Sequence, residues 1–239
     1  MRRIVGMCLL ALSLAVPALA EPLTLAAGAG YKKPVTELAA AFEAKSGIKT
    51  ELIFGNMGQL TTQVKGSGAI DLIVGEKSFL ESAGVSVAGA TTLGRGVLVV
   101  AWPKGKPLAA PADIAKPEVT RLAMPDPAKA IYGKAASQYL ERAGLAQAVA
   151  AKLLAVATVP QVTTYVQSGE VDAGFVNRTD ALGAGDSIGG FLEIDPSLYS
   201  PIEIVAAPVS GAKNPEAAKA FLAFLGTPEA QGIKLRHGL

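Results

Sequence analysis

Apolar residues along the chain follow two alternating patterns. Short runs such as Leu23–Ala27 and Ile70–Val74 contain almost no polar residues, which is typical of strands buried on both faces of a parallel sheet. Between such runs, apolar residues recur every three or four positions, as at Val35, Leu38 and Phe42, and a glycine then ends the predicted helix. This alternation of strands and helices predicts an α/β fold.

The same patterns predict further elements and a division into two lobes. The predicted strands cover residues 23–27, 48–54, 70–74, 97–102, 121–124, 155–158, 172–176 and 202–207. The predicted helices cover 34–46, a segment after 58, 130–143, a segment from 160, 215–225 and 228–235. We expect strands 97–102 and 202–207 to carry the chain from one lobe into the other and back. Lobe I then comprises residues 21–98 and 206–239, and lobe II comprises residues 99–205.

The first twenty residues have the pattern of a secretion signal. Arg2 and Arg3 precede the apolar run Ile4–Val16, and Ala18-Leu19-Ala20 is a small-x-small cleavage site before Glu21. We therefore expect a cleaved signal peptide over residues 1–20 and a location outside the cytoplasm for the rest of the chain. The alternative is an uncleaved membrane anchor, although no second apolar segment follows.

The remaining composition restricts the chemistry. Residues 1–20 contain two of the 22 basic residues and none of the 20 acidic ones, so residues 21–239 are formally neutral. Neutrality argues against a nucleic-acid partner, which needs an excess of Lys and Arg. The single cysteine, Cys8, lies within the predicted signal peptide, and His237 is the single histidine. Zinc and copper sites draw on clusters of these residues, so we expect no metal and no cofactor.

Four predicted strands are followed by a short loop and the start of a helix. These loops cover residues 28–33, 55–58, 128–130 and 158–160. In open α/β sheets ligands bind beyond the carboxyl ends of the strands, where helix N-termini point free N–H groups at them. Such donors, together with the helix dipole, form an anion site without a charged side chain. The pattern therefore predicts a small anion bound in a cleft.

Several segments resemble one known family. They include LTLAAGAGYKKPVTELAAAFEAKS (23–46), FGNMGQLTTQVKGSGAIDLIVGEKSFL (54–80), GRGVLVVAWP (94–103), RLAMPDPAKAIYG (121–133), GFVNRTDA (174–181) and the tail 213–239. In these segments the chain resembles the periplasmic substrate-binding proteins of ABC importers, in the molybdate-binding branch. The resemblance implies a type II periplasmic-binding-protein architecture, with two Rossmann-like lobes joined by two hinge strands and closing on a ligand. It also implies a monomer that delivers its ligand to an ABC permease in the inner membrane.

The resemblance also implies where the ligand binds, and this chain departs from the family there. Gly30 stands where relatives have a hydroxyl residue, Met57 where they have a contacting serine, and Asn177 where a tyrosine closes the site from lobe II. Backbone N–H donors near Ala130 and Val159 would be retained, because any residue supplies them. A molybdate- or tungstate-like oxyanion would then depend mainly on backbone donors.

A different anion that recruits nearby side chains is the alternative. Lys32, Arg95, Lys129 and Arg178 all lie near the ends of predicted strands, and Tyr31 could stack on a ligand or donate to it. Each of these charges could equally be a solvated surface residue. The predicted ligand-binding set is Gly30, Tyr31, Lys32, Asn56, Met57, Gly58, Lys129, Ala130, Val159 and Asn177.

Two other functions compete with transport. Residues 185–189 match G-x-S-x-G, and Asp195 and His237 follow in the order of a serine hydrolase with Ser187 as nucleophile. No strand is predicted before Ser187, so we interpret the stretch around 181–189 as a surface loop and expect no catalytic residue. A sensor module that binds a small carboxylate or another ligand needs the same closing cleft, and the sequence does not separate it from transport.

Overall fold

The structure, a computed structural model, describes residues 21–239; the predicted signal peptide lies outside these residues. Ten strands and nine α-helices alternate over this range. The strands are β1 (Leu23–Gly28), β2 (Thr50–Gly55), β3 (Leu72–Glu76), β4 (Thr91–Gly96), β5 (Leu98–Trp102), β6 (Leu122–Pro125), β7 (Leu153–Val156), β8 (Ala173–Asn177), β9 (Gly190–Glu193) and β10 (Ile202–Pro208). The helices are α1 (Lys32–Ser46), α2 (Met57–Ser67), α3 (Lys77–Ser82), α4 (Ile131–Arg142), α5 (Ala146–Val149), α6 (Val159–Ser168), α7 (Arg178–Ala184), α8 (Pro215–Phe224) and α9 (Pro228–Arg236).

The strands form two five-stranded sheets, which confirms the predicted α/β fold. One sheet has the order β2-β1-β3-β10-β4 and the other has the order β7-β6-β8-β5-β9. In each sheet the three strands at one side are parallel, and the remaining pairings are antiparallel. The sheets, with their helices, are the two predicted lobes.

The chain changes sheet at two places. It passes from β4 to β5 through Val97, and it returns between β9 and β10 through residues 194–201. Because β5 pairs only within the second sheet and β10 only within the first, the predicted boundaries at 98/99 and 205/206 fall inside strands. We therefore propose 21–96 plus 202–239 for lobe I and 98–193 for lobe II.

Most predicted elements are present with their ends displaced by one or two residues. The strand predicted over 48–54 begins at Thr50, and the helix predicted from Pro160 begins at Val159. The surface loop predicted around 181–189 is wrong in part, because α7 and a following 3₁₀ turn occupy residues 178–187. Strands β4 and β9 were not predicted, because polar residues and glycine interrupt their apolar patterns (TTLGRG and GFLE).

Lobe I includes the C-terminal helices because an aromatic cluster joins them to α1. The ring of Phe42 packs edge-on against Phe221, with centroids 5.1 Å apart, and Phe224 lies 5.8 Å from Phe42. Glu37 on α1 accepts hydrogen bonds from Arg236 and from Nε2 of His237 at the end of α9. Among residues 21–239, the helices are all too short or too polar to cross a bilayer.

Candidate functional site

Four helix N-termini converge on one cavity between the lobes. In lobe I the parallel register places Gly28 beside Gly55, so the loops that follow β1 and β2 are adjacent. In lobe II, Pro125 at the end of β6 lies beside Val156 at the end of β7. The cavity has a volume of about 30 Å³, which is room for about two water molecules. Its lining comprises Gly28, Ala29, Gly30, Tyr31, Gly55, Asn56, Met57, Ala130, Ile131, Tyr132, Thr158 and Val159.

The backbone supplies hydrogen-bond donors to this cavity. Met57, Ile131 and Val159 are the first residues of α2, α4 and α6, and the N–H groups of a first helical turn have no acceptor within their own helix. The N–H of Ala130, one of the predicted donors, is already used, because it donates to the Asp126 carbonyl at 2.9 Å. The following residue, Ile131, lines the cavity, and its N–H at the start of α4 has no acceptor within the helix.

Asn56 combines a structural role with a place at the cavity. Its Oδ1 accepts from the Gln59 N–H at 2.9 Å, and Gln59 Oε1 in turn accepts from the Asn56 N–H at 3.4 Å, which forms a capping box at the start of α2. The side-chain oxygen of Asn56 is therefore already used as an acceptor within the capping box. The amide nitrogen of Asn56, with two hydrogens, remains as a donor.

Two tyrosines face each other across the cavity. Tyr31 belongs to lobe I and Tyr132 to lobe II, both are buried, and their hydroxyl groups are hydrogen-bonded. Burial, reinforced by the neighbouring Tyr132, raises the pKa of Tyr31 well above its ordinary value, and burial likewise raises the pKa of Tyr132. Both hydroxyls therefore stay protonated at neutral pH and present no negative charge to an anion.

Asn177 lies beside the cavity rather than in its lining. Its Nδ2 donates to the Gly30 carbonyl at 3.0 Å, which joins the end of β8 to lobe I. Its Oδ1 is buried without a hydrogen-bond partner among the described residues. A Cβ atom on Gly30 would lie 2.8 Å from this oxygen, so the carboxamide of Asn177 occupies the space that a side chain at position 30 would need.

Met57 closes the floor of the cavity with apolar atoms. The residue is 2% exposed, and its Cε lies so close to Gly75 that a Cβ atom there would overlap it. Its Sδ is also in contact range of Gly28. Met57 thus packs into lobe I, while its backbone N–H starts α2 at the cavity.

The charged residues of the predicted set lie outside the lining. Lys32 is exposed and its Nζ lies 5.9 Å from the centroid of the Phe54 ring. Lys129 pairs with Asp126 at 3.2 Å, while its carbonyl accepts from the Gly58 N–H at 3.2 Å and so links the lobes.

Arg95 and Arg178, also considered as anion contacts, point elsewhere. Arg178 pairs with Glu193 and donates to the Gly238 carbonyl at 2.6 Å. Arg95 is exposed and lines a separate surface cavity near the second crossing. The twelve lining residues therefore include no charged side chain.

The hydrolase alternative lacks the required geometry. Ser187 follows helix α7 rather than a strand, and its Oγ donates to the Ala184 carbonyl and accepts from Gln167. His237 is bonded to Glu37 of lobe I, and Asp195 caps the turn that begins at Pro196. The described residues also contain no cluster of His, Cys, Asp and Glu that could hold a metal ion.

The predicted ligand-binding set omitted six of the twelve lining residues, namely Gly28, Ala29, Gly55, Ile131, Tyr132 and Thr158. Ile131 and Tyr132 directly follow the predicted donor Ala130, so extending the predicted helix N-terminus by two residues would have included them. Thr158 was recognised only as part of a loop. The structure shows it as the N-cap of α6, where its hydroxyl accepts from the Gln161 N–H.

A model of the bacterial extracellular solute-binding proteins matches residues 23–239, which is nearly all of the described chain. The chain belongs to this family. The molybdate-binding protein ModA of Rhodobacter capsulatus is 28% identical over 235 residues, which cover 96% of this chain and 92% of that protein.

Solved structures of binding proteins share the fold of this chain. The periplasmic molybdate-binding protein of Azotobacter vinelandii superposes with a TM-score of 0.82 at 22% identity, covering 90% of this chain and 97% of that chain. The sulfate-binding protein SubI of Mycobacterium tuberculosis gives a TM-score of 0.74 at 19% identity, covering 91% and 85%. These likenesses confirm the predicted fold of a periplasmic binding protein.

Proposed function

We propose that this solute-binding protein captures a small tetrahedral oxyanion of the molybdate or tungstate kind in the cavity between its lobes. The observation that carries the proposal is the convergence of helix N-termini from both lobes on a small cavity without charged side chains. The positive ends of the helix dipoles favour an anion there, and the N–H groups supply directed donors.

The size and chemistry of the cavity support a compact anion over larger solutes. An amino acid or a sugar exceeds a volume of about 30 Å³ by far, whereas an ion of a few atoms needs only a small widening of the cleft. The neutral donors are the side-chain amide nitrogen of Asn56 and the N–H groups of Met57, Ile131 and Val159, the first residues of α2, α4 and α6. The ModA relative is named for binding molybdate, a small oxyanion of the kind that neutral hydrogen-bond donors can hold.

Residues beside the lining have supporting roles in the proposed site. Asn177, Gly58 and Lys129 hold the lobes together through the contacts described above, and Gly30 allows the close approach of Asn177. Lys32 contributes at most a long-range attraction. We further propose that the mature protein acts in the periplasm as a monomer and delivers its ligand to an ABC permease of the inner membrane.

A ligand screen tests this proposal. Residues 21–239 are titrated with molybdate, tungstate, sulfate, phosphate and acetate, with thermal unfolding and calorimetry as readouts. Ligand at about one hundred times Kd stabilises the native state by about 2.7 kcal/mol, which raises Tm by about 5–10 °C for a chain of this size. We expect this shift with molybdate or tungstate. A shift with acetate or with neutral solutes, and none with any oxyanion, would refute the proposal.

A further inference from the structure

The hydroxyl–hydroxyl bond between Tyr31 and Tyr132 joins the two lobes at the base of the cleft. Tyr31 directly precedes α1 in lobe I, and Tyr132 is the second residue of α4 in lobe II. Both are almost completely buried, with 1% and 2% of their surface exposed. The bond joins residues 101 positions apart, one on each lobe, in the arrangement of the lobes that this structure shows.

The hinge itself is shaped to receive this bond. The Tyr132 hydroxyl lies directly over Gly96, the last residue of β4, and a Cβ atom at this position would overlap the oxygen. Val97, which follows Gly96, is the first crossing between the sheets. The hydroxyl pair therefore lies beside the first crossing, with one hydroxyl from each lobe.

We propose that Tyr31 and Tyr132 are positioning residues that hold the cleft closed through their mutual hydrogen bond and so lengthen the time a ligand stays bound. This inference rests on the proposed function for its ligand, but it concerns the closure and not the contacts to the anion. An open cleft returns both hydroxyls to water, so the bond contributes only the net value of an intramolecular hydrogen bond. That value corresponds to about a five-fold change in the ratio of closed to open protein.

Removal of either hydroxyl has a defined kinetic signature. Release of the ligand requires opening, so Tyr31→Phe and Tyr132→Phe each raise the dissociation rate about five-fold and leave the association rate nearly unchanged. Because both substitutions remove the same bond, the double variant dissociates no faster than either single variant. The factor is the same for molybdate, tungstate and sulfate, since the bond does not involve the anion.

The matched control is Tyr139→Phe. Tyr139 lies on the same helix as Tyr132, is also buried, and packs against the ring of Phe175 with centroids 5.9 Å apart. Its conversion removes a tyrosine hydroxyl from α4 outside the lining of the cavity. We expect its dissociation rate to equal that of the unsubstituted protein.

Stopped-flow measurement of molybdate binding and release tests the proposal, with Tm as a check on folding. Unchanged dissociation rates in both single variants would overturn it, as would factors that multiply in the double variant or that differ among the anions. If one variant fails to fold, the other tests the same bond from the opposite lobe.

A second readout needs no ligand. Residues 21–239 contain no cysteine, so the exposed residues Lys65 and Glu141 can be changed to cysteine and labelled to report the distance between lobes by energy transfer. Both phenylalanine variants should show fewer closed molecules than the control, and equal distributions would overturn the proposal. This readout tests the closure bond independently of the ligand. Failure of the proposed function would instead appear as an unsubstituted protein that binds no oxyanion.

Discussion

Asn177 of lobe II occupies the space that a side chain on Gly30 of lobe I would fill. Its amide nitrogen donates to the Gly30 carbonyl at 3.0 Å, and its oxygen would be 2.8 Å from a Cβ atom at position 30. Gly30 and Asn177, two of the three positions at which we expect the chain to depart from its relatives, are therefore coupled. A side chain at position 30 therefore requires the carboxamide of Asn177 to shift in the closed protein.

This coupling predicts the result of restoring the hydroxyl. Gly30→Ser should weaken binding of molybdate by at least about ten-fold, because the new Cβ pushes against Asn177 and keeps the cleft from closing. Adding Asn177→Ala should recover most of the loss. Calorimetry measures both affinities. Gly66→Ser is the control, because a Cβ at this exposed position of α2 meets no atom within 4 Å. Unchanged affinity in Gly30→Ser would contradict the coupling.

Met57 should act mainly through packing. Met57→Ala leaves a cavity beneath α2 and should lower the free energy of unfolding by about 2–4 kcal/mol, as measured by urea denaturation. Gly75→Ala should destabilise the unsubstituted protein, because its new Cβ overlaps the Met57 methyl group. In the Met57→Ala protein, Gly75→Ala should lower the free energy of unfolding only slightly, because the methyl group that it would overlap is gone. Equal costs in the two backgrounds would show that the two side chains do not compete for the same space.

Lys32 should contribute little to binding. It is exposed and lies over the Phe54 ring, so Lys32→Gln should change the molybdate Kd by no more than about two-fold at 0.15 M salt. Lys65→Gln, on the exposed side of α2, is the matched control. A loss of ten-fold or more that is specific to Lys32 would restore the alternative in which cationic side chains recruit the anion.

Asp172 should make stability depend on pH. Burial favours its neutral form, but bonds from Lys106, from Thr120 and from the Arg121 N–H outweigh it and hold its pKa well below the ordinary value. Because the pKa is lower in the folded state, the stabilisation is complete above the unfolded pKa of about 3.9 and is lost as pH falls further.

Asp172→Asn should therefore lower the free energy of unfolding by about 3 kcal/mol at pH 7 and at pH 5. The difference from the unsubstituted protein should shrink below about pH 4. Urea denaturation at pH 7, 5, 4 and 3 measures this, with the exposed Asp186→Asn as control. If the difference in unfolding free energy between the two proteins grows as the pH falls, the pKa of Asp172 is not lowered by folding.

The alternation of strand and helix was predictable because it depends on local patterns. Buried parallel strands such as β3 and β8 are nearly uniform in apolar residues, and Gly47 adopts the left-handed φ of 74° that ends α1 as predicted. The strands β4 and β9 were missed because their pairing with neighbours, and not their own composition, makes them strands. The crossings between the sheets were misplaced for the same reason. Leu98 and Ile202 belong to different sheets because of the strands they pair with, and local composition does not reveal those partners.

By itself, the sequence determined the α/β architecture and the four loops at which helices begin, because hydrophobic periodicity and helix-start residues act over a few neighbouring positions. Only the tertiary structure decided which side chains meet there. The Tyr31–Tyr132 bond joins residues 101 positions apart, the Asn177–Gly30 contact joins residues 147 apart, and Lys32 is directed away to Phe54. Such contacts depend on how two lobes close on each other, and no local pattern in the chain encodes that geometry.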